Sequence, residues 1–282
     1  MATISAIGKY TVLGTLGKGA HSTIFHVRRA EDSREYALKI VTIADEEQQK
    51  FLDQAEHELL VAKKLNHVNL VKVYCLEKKR NLFFQVRKAL LLIEFINGST
   101  LDSNPIPLDK FPGIFYRIGA GLAHMHKQGI FHADLKPNNI MLGRRGEVKI
   151  IDYGLAWIKG VAKDRVQGTP EYMAPETAKS RIVNERSDMY NFGATMYRIA
   201  TLKLPPCVVP VGDSIRINAK AYNDMLAPVR ELNKAVPKPL ADLIHRCIEF
   251  DPEKRPRWMG EVLAELKLCA KAVGEMIEED EE

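Results

Sequence analysis

Phe131-His132-Ala133-Asp134-Leu135-Lys136-Pro137-Asn138-Asn139 gathers a carboxylate, an ammonium and a carboxamide within six positions. Groups of these kinds side by side suit proton transfer and charge compensation, although an inert surface loop can have the same composition. Pro137 cannot continue helical hydrogen bonding, so the run reads as a loop after a helix ending near Gly129. Downstream, a strand-like run at 148–151 ends in Asp152-Tyr153-Gly154, an acid followed by glycine. Further on lies Gly168-Thr169-Pro170-Glu171-Tyr172-Met173-Ala174-Pro175-Glu176. Near the start, Gly17-Lys18-Gly19-Ala20-His21-Ser22 sits between two strand patterns, where glycine lets a backbone approach a phosphate without a Cβ in the way. Taken alone it is only a turn signal.

These residues must be positioned by elements that the patterning also indicates. Residues 10–16, 23–29 and 36–43 mix β-branched, aromatic and apolar side chains between turn residues, and read as strands. So do 70–76 and 89–96, joined by a basic stretch, 78–88, read as a loop or hairpin. Residues 45–65 have helical periodicity. At about 100° per residue, Phe51, Ala55, Glu58, Ala62 and Leu65 share one stripe, so Glu58 interrupts an apolar face while Glu56 points away. A carboxylate facing a core needs a cation. Lys39, inside the apolar strand Tyr36-Ala37-Leu38-Lys39-Ile40, is the expected partner, although an edge strand would carry such a lysine to solvent.

After Asn97-Gly98 the texture turns helical, over 108–128, 187–202, 239–250 and 258–276, whereas 98–108, with Pro105 and Pro107, reads as a loop. The domain reading is therefore a β-rich lobe with one main helix (1–95), a larger helical lobe (96–275) and a short acidic tail (276–282), an α+β organisation. No internal repeat is present.

The 282-residue chain is 46% hydrophobic and 27% charged, the balance of an ordinary globular protein. Its net charge of +5 is dispersed rather than gathered in a basic stripe, so no nucleic-acid partner is expected. Four cysteines without a C-x-x-C pair indicate neither a zinc site nor a disulfide framework. No signal peptide is expected, and the longest apolar stretch, 89–96, is far short of the ~20 residues of a membrane helix. The expected location is cytoplasmic, with no membrane partner.

In this order and at these separations, the motifs resemble those of the eukaryotic-type serine/threonine protein kinase catalytic domain, over roughly residues 10–272. The resemblance implies the two-lobed kinase fold with ATP in the cleft at the hinge. It implies that Gly17 and Gly19, with Leu16, Lys18, Ile24, Ala37 and Met141, surround the nucleotide. Glu94 and Ile96 would offer backbone groups to adenine, behind which Ile93 lies. Lys39 would hold the α- and β-phosphates while paired to Glu58. Asp134 would take or orient the proton of a substrate hydroxyl, and Lys136 would neutralise the transferred phosphoryl. Asn139 and Asp152 would hold Mg²⁺, or Mn²⁺ in its place. Structural roles are implied for His132, for Asp188 as the anchor of the catalytic loop, and for Arg255 as the partner of Glu176. Protein substrates with Ser or Thr hydroxyls follow from Lys136 and the run at 168–172.

Several positions depart from the family pattern. Ser22 replaces the third glycine of the nucleotide loop, and Tyr153 the usual phenylalanine. Ala133 replaces the arginine that grips an activation-segment phosphate, and residues 155–167 contain no Ser, Thr or Tyr. Phosphate receptor and phosphate acceptor are absent together, so the expectation is a kinase that needs no phosphorylation of that segment. Thr169 is read as a substrate-side contact of Asp134 and Lys136, with autophosphorylation there as the alternative. The competing readings are a pseudokinase scaffold that binds nucleotide without efficient transfer, and a small-molecule kinase.

Overall fold

Residues 6–19, 21–161, 167–209 and 218–277 are described by a computed structural model, in which the chain forms two units. The acidic stretch 278–282, Ala20 and residues 162–166 of the hydroxyl-free segment lie outside the described residues.

The first unit comprises residues 1–66, 70–97 and 152–154. Its strands are β1 (Ala6–Ile7), β2 (Tyr10–Lys18), β3 (Ser22–Arg29), β4 (Glu35–Thr42), β5 (Val73–Arg80) and β6 (Val86–Glu94). They form one curled antiparallel sheet in the order β1-β2-β3-β4-β6-β5. Alternation along β4 separates two faces. Tyr36 and Leu38 pack with Tyr10, Val27, Leu90 and Leu92. Val41, on the opposite face, packs with Ile43, Ala89 and with Leu52 and Ala55 of the helix α1 (Gln49–Ala62). The helical pattern begins later than its periodicity indicates, because Asp45 accepts from the Gln48 N–H and caps a separate 3₁₀ turn at Glu46–Gln48. The basic stretch resolves into a hairpin, with β5 running on to Arg80.

The second unit comprises residues 67–69, 98–151 and 155–282. It contains β7 (Gly98–Thr100), α2 (Phe111–Lys127), β8 (Ile130–Phe131), β9 (Ile140–Gly143), β10 (Val148–Ile150) and β11 (Trp157–Ile158). The helices α3 (Pro175–Ser180), α4 (Glu185–Thr201), α5 (Ala219–Met225), α6 (Val229–Leu232), α7 (Lys238–Cys247) and α8 (Met259–Ala272) follow. The chain is thus mixed α+β. The central helix α4 opens on a capping box, in which the Asn184 side chain accepts from the Ser187 N–H and the Ser187 hydroxyl accepts from the Asn184 N–H. Twelve of its positions, Ser187 to Tyr197 and Ala200, are buried.

Residues 98–108 are more ordered than a loop. β7 adds a third strand to the β10-β9 pair, and a 3₁₀ turn follows at Leu101–Ser103. A Cβ on Gly98 would lie 1.9 Å from the Leu142 carbonyl oxygen, so only glycine permits this approach. Three helices carried no clear periodic signal: α3, α5 and α6 span seven residues or fewer, too short to establish one. Among the described residues, no helix is long and apolar enough to cross a membrane.

Candidate active site

Two clusters of polar side chains stand out, one in each unit. In the first, β4 alternation puts Lys39 on the same face as Val41, toward α1, and Glu58 lies one turn beyond Ala55 on the buried stripe of that helix. Lys39 Nζ donates to Glu58 Oε2 at 2.7 Å and lies 4.0 Å from Asp152 Oδ1. Glu58 is buried, and burial pushes its carboxyl up against the pull of Lys39. Burial opposes the Lys39 ammonium too, but the Glu58 and Asp152 carboxylates outweigh it and hold its pKa above the ordinary lysine value. Glu56 instead points outward to Lys78, at 2.5 Å.

Asp152 has a left-handed backbone (φ +69°), and its Oδ1 accepts the Gly154 N–H at 3.0 Å. The next side chain, Tyr153, is fully buried, and its hydroxyl donates to the Val71 carbonyl at 3.0 Å. Burial, reinforced by Glu58, raises its pKa well above the ordinary tyrosine value, so it remains a donor.

Of the residues expected around a nucleotide in this unit, Leu16, Gly17 and Lys18 end β2 with a bulge, and Ile24 faces Gly17 across the ladder. The Gly19 N–H closes the turn on the Ser22 carbonyl at 2.8 Å. A Cβ on Gly17 would meet nothing within 4 Å, so packing does not demand glycine there. Ala37 opposes Ile93 between β4 and β6, and Ile96 is buried just beyond. The Glu94 N–H is committed to the Lys72 carbonyl at 2.8 Å, and Glu94 Oε2 accepts the Lys72 N–H at 3.0 Å. Of its two backbone groups, the N–H is therefore already used.

The second cluster centres on Asp134. Its Oδ1 accepts both the Thr169 N–H (2.8 Å) and the Thr169 hydroxyl (2.7 Å), while Lys136 Nζ lies 2.9 Å from Oδ2. Lys136 also donates to Thr169 Oγ1 at 2.5 Å. Asn139 Nδ2 donates to the Asp134 carbonyl (2.8 Å) and to Asp134 Oδ2 (3.2 Å). With both amide hydrogens turned inward, Asn139 Oδ1 is the atom available to a hard cation. Met141 lies two residues further, in β9.

The loop carrying Asp134 hangs on Asp188, which is wholly buried in the first turn of α4. Asp188 Oδ2 accepts the His132 N–H at 2.7 Å, and Oδ1 accepts the Ala133 N–H at 2.8 Å. His126 Nε2 lies 2.9 Å from Oδ2. Ala133 is held at φ +64°, a conformation that costs a non-glycine residue about 1–3 kcal/mol. A second buried anchor joins Arg255 to Glu176 bidentately, at 2.7 and 2.9 Å. The remaining Arg255 donors reach the carbonyls of Arg186, Glu249 and Phe250.

Sequence reasoning missed His126. Its only signal is a polar side chain in the last turn of an otherwise apolar helix face, which is weak without the fold. The bond of Tyr153 to the Val71 carbonyl likewise has no local signal in the sequence. Among the described residues, no group of three or more His, Cys, Asp or Glu side chains is arranged to hold a metal ion. Asn139 Oδ1 and the Asp152 carboxylate are each oxygen donors of the kind a hard cation takes.

A family model described as protein kinase domain matches residues 10–265. A probable serine/threonine-protein kinase of Clostridium acetobutylicum is 28% identical over 267 residues, covering 92% of this chain and 39% of that protein. Serine/threonine-protein kinase PrkC of Bacillus subtilis is 25% identical over 98% of this chain and 43% of its own length. The DNA damage-responsive serine/threonine-protein kinase RqkA of Deinococcus radiodurans is 30% identical over 94% and 40%. The chain thus spans about two fifths of the length of these relatives.

Proposed function

Because this chain belongs to the protein kinase domain family, we propose that it transfers the γ-phosphoryl of ATP to serine or threonine hydroxyls of protein substrates. The observation that carries this reading is the Asp134 carboxylate, whose Oδ1 receives the Thr169 hydroxyl while Lys136 and Asn139 hold Oδ2. A carboxylate in that arrangement accepts the proton of an incoming hydroxyl, and the adjacent ammonium offsets charge on the phosphoryl being transferred. Lys39, steadied by Glu58, holds the α- and β-phosphates. Asn139 Oδ1 and the part-exposed carboxylate of Asp152 suit Mg²⁺, which when bound neutralises the triphosphate oxygens. Phosphoryl transfer needs positioning and charge compensation more than covalent help, which accounts for the choice of side chains.

The serine/threonine preference is supported by the bond of Lys136 to Thr169 and by the printed names of the relatives. Independence from activation-segment phosphorylation is supported by Ala133, which presents no cation to a phosphate, and by the absence of Ser, Thr and Tyr from 155–167. The test is incubation with γ-labelled ATP, Mg²⁺ and a generic protein substrate, beside Asp152→Ala and Asp134→Asn. Label on serine and threonine that both substitutions abolish is the expected result. No transfer under any divalent cation, with nucleotide still bound, would instead make the chain a pseudokinase. Phosphatase treatment that leaves the rate unchanged is expected, and loss of activity with a lost phosphate mapped inside 155–169 would overturn the second part.

A further inference from the structure

The hairpin between β5 and β6 ends in Leu82-Phe83-Phe84, which are 94%, 81% and 79% exposed. Three consecutive large apolar side chains this open to water call for an occupant. They are carried on a built turn. Asn81 Oδ1 accepts the N–H groups of Phe83 and Gln85, both at 3.0 Å, and the Phe84 N–H returns to the Asn81 carbonyl at 3.1 Å. Arg80 donates to the Phe84 carbonyl at 2.7 Å, and the Asn81 N–H to the Gln85 carbonyl at 2.9 Å. The turn also holds Phe84 at φ +60°.

The surroundings are cationic. Residues 78–93 contain Lys78, Lys79, Arg80, Arg87 and Lys88 and no acid. Glu56 and Glu77 pair with Lys78 and Lys79, so five cations less two acids leave three. Lys79 and Lys88 are direct cross-strand partners, and because Glu77 offsets the charge of Lys79, Lys88 is left with no acid partner among the described residues.

We infer that this hairpin tip inserts Leu82, Phe83 and Phe84 into the interface of an anionic phospholipid bilayer, with Lys79, Arg80, Arg87 and Lys88 on its headgroups. Two features favour a bilayer over an acidic protein. The three apolar side chains stand exposed at the end of a hairpin and not in a groove, so they fit a deformable apolar medium. The N–H groups of Phe83 and Phe84 and the Phe84 carbonyl are satisfied within the turn, which lowers the cost of bringing this segment to a lipid interface. The absence of a spanning helix, on which the expectation of no membrane partner rested, does not bear on an interfacial tip. The inference is independent of the catalytic reading, and neither test depends on the other.

The full chain is floated with phosphatidylcholine vesicles, with and without phosphatidylserine. At least tenfold stronger partition into the anionic vesicles is expected, weakening as salt rises. Phe83→Ser with Phe84→Ser should reduce it about tenfold or more while leaving the melting temperature within about 2 °C. Lys79→Glu with Lys88→Glu should remove the preference for phosphatidylserine. In Phe83→Trp, the added fluorescence should shift to the blue on vesicle addition. No co-flotation, or equal partition by the Phe83/Phe84 variant, would overturn the inference. So would binding to soluble polyglutamate that matches vesicle binding and is lost with the same tip substitutions, which would assign the tip to an acidic protein.

Discussion

Replacing Asp188 with asparagine tests how the catalytic loop is held. Asp188 uses both oxygens: Oδ1 accepts the Ala133 N–H, and Oδ2 accepts the His132 N–H beside His126 Nε2. Asparagine offers one oxygen and one NH₂, so in either orientation a buried donor faces a donor. In the better orientation the oxygen keeps His132 and the NH₂ confronts Ala133. One hydrogen bond to a charged group is then lost, at about 1.5–3 kcal/mol. The retained bonds fall from charge-assisted to neutral, at about half their strength. A total near 3 kcal/mol corresponds to a fall in melting temperature of about 6–12 °C for a unit of this size. The measurement is calorimetric unfolding of Asp188→Asn beside Glu185→Gln, an acid in the same helical turn. Glu185 contributes only through the helix dipole, about 0.5 kcal/mol, so its loss should shift melting by about 2 °C or less. The phosphorylation rate of Asp188→Asn should fall at least about tenfold, because Ala133 at φ +64° precedes Asp134 directly. Equal small shifts in the two variants would mean that Asp188 acts as a helix-end charge and does not anchor the loop.

Glu58→Ala should lower kcat/KM at least about tenfold, whereas Glu56→Ala, which loses an exposed pair with Lys78, should stay within about twofold; steady-state phosphorylation of one substrate compares them, and equal losses would refute the Lys39–Glu58 pairing. Tyr153→Phe strands the buried Val71 carbonyl at a cost of about 1 kcal/mol, a fall of about 4–8 °C in the melting temperature of the smaller first unit in thermal unfolding. His245 has its pKa lowered by burial, against the raising influence of Asp242 and Glu249, and its Nε2 accepts the Val229 N–H. The unfolded chain therefore binds this proton more readily than the folded one, and the stability held above about pH 6.5 should diminish as pH falls below it. In denaturant unfolding, His245→Gln should flatten that decline.

The sequence was most informative where chemistry is concentrated in contiguous runs. Asp134, Lys136 and Asn139 sit within six positions, Asp152 ends a strand before a glycine, and each could be singled out by residue type and spacing alone. The inward face of Glu58 was also legible, because helical period converts sequence distance into direction. Contacts between distant elements were not. Sequence alone could indicate that 98–108 is irregular, but not that β7 pairs with β9, since pairing depends on the partner strand's register. His126 meets Asp188 across 62 positions, and Tyr153 meets Val71 across 82. Such pairs depend on where two elements are brought together in space, which local pattern does not encode.

The hairpin tip shows the same division. Leu82, Phe83 and Phe84 have the composition of a buried strand, and only the turn that Asn81 closes turns them out to solvent. Residue types and their spacing determined which groups are present to act on a phosphate and which faces of the local elements carry them. The tertiary structure decided which donors saturate Asp188, which acceptors saturate Arg255, and which apolar side chains remain uncovered. Burial and hydrogen-bond completion belong to the assembled surface, not to any single segment of the chain.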